Sequence, residues 1–181
     1  MNSISNQKNI NIWLHTTIVM VVLMILIGGI TRLTDSGLSM VEWRPIWGFL
    51  PPITDEEWKR VFSLYMSSPE YIFKNQGMSI IEFKKIFFWE YFHRLWGRLI
   101  GIVFIIPLVI FYLLNKIPTL ILLKLISILF LGSFQAIIGW WMVKSGLVND
   151  PAVSQYRLVV HLSNALLILF LLLWTLLEFK N

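Results

Sequence analysis

The sequence predicts an all-α, polytopic membrane protein, a bundle of four transmembrane helices, and three observations carry that prediction. Of its 181 residues, 57% are hydrophobic and only 14% charged, with a mean hydropathy of +0.72; an ordinary soluble domain carries about 25% charged residues. The apolar residues are gathered into runs close to the ~20 residues that a helix needs to cross a bilayer. Four such runs occur, separated by stretches in which Pro, Gly, Ser and charged residues collect.

Taken in order, Met1 to Asn11 is polar and reads as a loose tail. The first span, about Ile12 to Ile30, is too long for a signal-peptide core. Gly28 and Gly29 lead into Thr31 and Arg32 rather than into a cleavage pattern, so the span is read as retained. The connection over about 31–86 is structured. Its first part, TRLTDSGLSMVEWRPIWGFLPP, mixes turn formers with Trp43, Trp47, Phe49 and Leu50, predicting a compact surface loop packed by its own aromatics. In TDEEWKRVFSLYMSSPEY, Thr54 stands three residues before Glu57 with acids in the first turn, the pattern of a capped interfacial helix. MSIIEFKKIFFWE is amphipathic and is predicted to run straight into the second span, about Phe87 to Leu114. Asn115 to Pro118 is a tight turn, the third span covers about Thr119 to Val143, Lys144 to Ala152 is the last connection, and the fourth span covers about Val153 to Leu177. This is an up-down-up-down bundle in one domain over residues 1–181.

Charge agrees with the membrane assignment made from composition. The net charge of +5 suits anionic lipid as a partner, and no basic cluster resembles a nucleic-acid surface. Lys8, Lys180 and Lys116 give a bias toward cytoplasmic termini, which puts the long loop in the periplasm of a cell with an inner membrane. The absence of cysteine excludes disulfides and thiolate-ligated metals.

Three histidines are present, His15, His93 and His161. The second and fourth spans both start on the long-loop side, so His93 and His161 fall at depths of roughly 9 and 12 Å at 1.5 Å per residue, while His15 lies at the opposite face. Two imidazoles at one depth suit axial ligation of a haem. Gly97 and Gly101 continue the face of His93, and Ala165 that of His161, leaving room for a flat macrocycle. Arg94, Arg98 and Arg157 lie near the two histidines, where cations would pair with propionates. The bland alternative is interfacial hydrogen bonding by the histidines and close helix packing by the glycines, the use assigned to Gly132, Ala136 and Gly139. His15 is read as structural. Glu90, three residues before His93, is open between acid–base chemistry at the cofactor and an i,i+4 ion pair with Arg94.

Four stretches, GGITRLTDSGLSMVEWRPIWGFLPP, MSIIEFKKIFFWEYFHRLWGRLIG, GWWMVKSGL and VSQYRLVVHL, resemble in order and spacing the haem A synthase family in its alphaproteobacterial and mitochondrial form. The resemblance implies oxidation of a ring methyl of haem O to a formyl group, giving haem A for cytochrome oxidase. It implies an eight-span protein of two similar four-helix halves, each with a histidine pair. The family's glutamate-x-x-histidine motif falls on Glu90 and His93 and its partner histidine on His161, so these residues would hold the haem being oxidised, with Glu90 in the reaction. A haem b is expected only in a second half, which this sequence does not contain. A second-half chain or a second copy of this chain is therefore an expected partner, along with haem O synthase and cytochrome oxidase assembly factors. The alternatives are a bis-histidine cytochrome that relays electrons and an inactive fragment or assembly subunit.

Overall fold

The computed structural model describes residues 2–42, 48–148 and 151–180. The six helices are α1 (Asn2–Leu33), α2 (Asp55–Met66), α3 (Pro69–Phe73), α4 (Ile80–Leu113), α5 (Thr119–Gly146) and α6 (Gln155–Lys180), and no strand occurs among the described residues. Of these, α1, α4, α5 and α6 are long and apolar enough to cross a membrane. The two short helices lie between α1 and α4 and form a cap.

Local chemistry fixes the ends. Thr54 accepts a hydrogen bond from the Glu57 N–H at 3.2 Å, starting α2 as the acid-rich first turn requires. Ser68 and Pro69 start α3, which the sequence reading did not separate from its surroundings. Ser79 and Glu82 form a reciprocal capping box, so α4 begins at Ile80 and runs unbroken into the membrane. Asn115, at a φ of 51°, reverses the chain between α4 and α5.

Two expectations are corrected. The segment before Asn11 is helical, because nothing in it breaks a helix and Ile10 is buried at its end. Phe49 and Leu50 stand exposed instead of packing the surface loop, while Trp43 and Trp47 lie outside the described residues. The roof of the bundle is the turn after α1: Ser36, Leu38 and Ser39 are all buried there.

α1 packs against both α4 and α6, and α5 packs against both as well. The two helices that carry His93 and His161 therefore stand diagonally across the bundle. Packing is uneven along its axis. At the end holding both termini, Trp13, Leu14, Phe104, Leu108, Leu125 and Leu172 belong to one apolar core. Here the Trp13 indole donates to the Val103 carbonyl at 2.9 Å. That carbonyl lacks its helical donor because residue four places on is Pro107. At the other end Tyr65, Phe83 and Phe87 join the cap to α4. Between Phe87 and Phe104 the one fully buried residue of α4 is Glu90.

Candidate functional site

His93 and His161 sit in that middle zone, on helices that both pack against α1 and α5. Each ring lies against a glycine of a neighbouring helix. A Cβ added to Gly28 of α1 would come within 3.2 Å of His93 Nε2, and one added to Gly139 of α5 within 3.1 Å of His161 Cε1. Any larger residue would displace the rings. His161 Nδ1 is buried with no hydrogen-bond partner, which in an apolar interior is a cost that a further ligand or donor would offset. No group of three or more His, Asp or Glu side chains placed to hold a metal ion occurs among the described residues. Two imidazoles on diagonal helices, each against a glycine of a neighbouring helix, fit a metal whose other ligands come with it, as iron does in haem.

Glu90 is 3% exposed and both of its carboxylate oxygens are engaged. Oε2 accepts from the Ser39 hydroxyl and from the Met40 backbone N–H, each at 2.7 Å, and Oε1 pairs with the Arg94 guanidinium. The spacing permitted the ion pair with Arg94. It gave no sign of the loop, because residues fifty positions away are invisible to helical periodicity. Glu90 thus ties the roof to α4 one turn above His93. Leu38, beside it in the roof, lies against Gly146, where an added Cβ would stand 2.7 Å from Leu38 Cδ1.

The arginines are spread over different contacts. Arg94 also donates to the Met40 carbonyl at 3.3 Å, and Arg98 to the Arg94 carbonyl at 3.0 Å. Arg157 is drawn to α5, donating to the Trp141 carbonyl at 2.8 Å with its guanidinium 4.3 Å from the Trp141 ring centroid. Of the two glycines after His93, Gly97 faces the Met24 thioether methyl of α1, 3.3 Å from an added Cβ, whereas Gly101 has open space beside it. Gly139 seats His161, so packing between helices is not its sole use. His15 is exposed at the far end, with Nδ1 2.7 Å from the Asn11 carbonyl, and takes no part.

Gln135 on α5 and Asn164 on α6, which the sequence reading passed over, form a polar cluster behind His161. Gln135 donates to the His161 carbonyl at 3.0 Å, and Asn164 donates to the Gln135 side-chain oxygen at 2.7 Å. The available signal was an amide in the middle of each apolar run, since unpaired polar groups are costly there. A second buried cluster lies in the cap, outside the membrane. Glu70, 4% exposed, accepts from the Tyr65 hydroxyl at 3.0 Å, and Tyr65 in turn accepts from Asn75 at 2.6 Å. Burial pushes the Glu70 carboxyl up to about 7; the Tyr65 hydrogen bond opposes this, the charges of Glu90 and Asp35 add to it, and Lys74 opposes it. Burial likewise raises Tyr65 above an ordinary phenol.

Residues 11–181 match the model of the COX15-CtaA family, described as "Cytochrome oxidase assembly protein". Among curated relatives, the "Heme A synthase" of Nitrosospira multiformis is 49% identical over 97% of this chain and 49% of its own length. That of Parvibaculum lavamentivorans is 46% identical over 98% of this chain and 52% of its own length. That of Rickettsia bellii is 49% identical over 95% and 51%. The chain spans about half the length of the curated relatives it matches. No solved structure matches it.

Proposed function

The chain belongs to the COX15-CtaA family of cytochrome oxidase assembly proteins, and from that premise we propose that it takes part in haem A biosynthesis as the histidine-bearing bundle that holds haem O while a ring methyl is oxidised to a formyl group. The observation that carries the reading is the pair His93 and His161 on diagonal helices, each in contact with a glycine of a neighbouring helix. Haem supplies the iron and the methyl group that reacts. The chain would supply His93 and His161 to hold the iron, a flat wall at Gly101 and an apolar surround that excludes water. Gly97 forms part of that wall where Met24 yields, and Arg94, Arg98 and Arg157 line the polar rim toward the propionates.

Glu90 stands one helical turn above His93, on the side of the roof. In this reading it positions or deprotonates the species that delivers oxygen to the methyl carbon, as C–H bonds there break and their electrons pass to an acceptor outside this chain. Its two bonds to the roof hold it in place, and Arg94 is the partner with a second acceptor, the Met40 carbonyl, to turn to. The work is that of an oxidoreductase in the inner membrane, with termini in the cytoplasm and the cap in the periplasm. The electrons removed from the methyl group would pass to a haem b expected in a second-half chain. Haem O arrives from haem O synthase, and the product passes to cytochrome oxidase assembly factors.

The test is absorbance of the purified protein. A Soret band should be present in wild type and lost or shifted in His93→Ala and in His161→Ala; a band unchanged in both variants sinks the site. Extraction of the bound pigment should give haem O or its hydroxylated and formyl products. Recovery of haem b alone would favour a simple electron relay.

A further inference from the structure

We propose that Gln135, backed by Asn164 and Gly139, is a positioning residue that sets the orientation of the His161 imidazole toward haem; the inference rests on the reading of His161 as an axial ligand. Three hydrogen bonds form one chain from the backbone of α5 to the backbone of α6. Asn164 Nδ2 donates to the Leu131 carbonyl at 3.2 Å and to Gln135 Oε1 at 2.7 Å, and Gln135 Nε2 donates to the His161 carbonyl at 3.0 Å. A helical carbonyl already serves the N–H four residues on, so this is a second bond to its other lone pair, and it reaches the very turn that carries the imidazole.

Gln135 and Gly139 are four residues apart and share a face of α5. The first fixes the backbone of His161 and the second receives its ring. Translation of that turn is blocked by the amide pair, and rotation of the ring toward α5 is limited by the backbone at Gly139, where an added Cβ would lie 3.1 Å from Cε1. Amides in apolar spans also act as simple helix-to-helix glue. Glue alone would place such a pair at any level of the bundle. Here it bonds the ligand residue itself, and the ring nitrogen Nδ1 of that residue is left without a partner of its own. Orientation of this imidazole therefore falls to backbone and steric contacts, not to the usual hydrogen bond on the second ring nitrogen.

The experiment is electron paramagnetic resonance of the haem-loaded, full-length chain in its ferric state, alongside haem loss to an apomyoglobin scavenger. Gln135→Leu should move the low-spin signal and speed haem loss about tenfold, the lower end of what removing an outer partner of a metal ligand costs. Asn164→Ala should move it in the same direction but less, because it reaches His161 only through Gln135. Gly139→Ala, which keeps both amides, should shift the low-spin signal by turning the ring. Ser133→Ala, an exposed residue of α5 bonded to its own helix at Leu129, serves as the control and should change nothing. If Gln135→Leu does not fold, Asn164→Ala and Gly139→Ala still decide the matter. Spectra of Gln135→Leu and Gly139→Ala identical to wild type would overturn the positioning role. If His161→Ala also leaves the low-spin signal intact, the ligand assignment fails instead, so the two failures are separable.

Discussion

Replacing Glu90 by Gln separates what the carboxylate does for the fold from what it does for the reaction. The amide oxygen can still serve Ser39 and the Met40 N–H, both 2.7 Å away in the wild type. On the other side the new NH2 group faces the Arg94 guanidinium, donor against donor. Breaking a buried charged pair costs about 3–5 kcal/mol when the survivor is left uncompensated. Arg94 keeps the Met40 carbonyl at 3.3 Å, so the expected loss is smaller, about 2–3 kcal/mol. Arg94→Gln should cost a similar amount, and the double variant should recover at least about 1.5 kcal/mol through amide–amide pairing. The assay is unfolding of the detergent-purified chain in SDS, followed by circular dichroism, with haem content and conversion of haem O measured on the same preparations. Additive losses in the double variant would refute the claim that the pair ties roof to helix. A double variant that regains stability and haem but forms no product, where Arg94→Gln alone still forms it, would assign the carboxylate to the reaction, and one that regains product would remove it.

Three further outcomes are expected. Glu70, held at about 7 against an ordinary 4.5, keeps its proton in the folded cap over a range where the unfolded chain has lost it. Cap stability should therefore be highest below about pH 4.5, fall by up to about 3 kcal/mol as the pH rises to 7, and level off above that. Proteolysis of the α2–α3 segment across this range should show the slope, and Glu70→Gln should flatten it. Gly146→Ala should destabilise the roof by about 1–3 kcal/mol through its clash with Leu38, measured by SDS unfolding, and Leu38→Ala in the same chain should relieve it. Trp13→Phe should cost about 1 kcal/mol by orphaning the Val103 carbonyl; Pro107→Ala should restore most of that loss in the same assay by returning the helical donor.

Much of this was legible in the residues. Span number, the Thr54 cap, the continuous α4 and the matched level of His93 and His161 all follow from local pattern and helical rise. Phe49 and Leu50 misled because aromatics near an interface read alike whether they pack inward or lie exposed. The roof escaped because Ser39 and Met40 reach Glu90 by a chain reversal that no period records. Gln135 and Asn164 escaped for a related reason: each is a lone amide in an apolar run, and its importance exists only where the two helices meet. Gly28 and Gly139 were visible as small residues, but which ring each one receives depends on the order of helices around the bundle.

The uneven core has a consequence for loading. At the end holding both termini, Trp13, Phe104, Leu108 and Leu172 form a finished stem that owes nothing to any guest. At the level of His93 and His161, by contrast, α4 buries only Glu90 fully between Phe87 and Phe104. Such a bundle folds from its stem and can admit a flat molecule sideways through the seam between α4 and α5, the least packed of the four, without losing its topology. Amide hydrogen exchange along α4 and α6 would then be graded, slow beside Phe104 and Leu172 and fast beside the histidines. A chain awaiting its cargo would be most open at the one level where the cargo belongs, and loading would close the gradient.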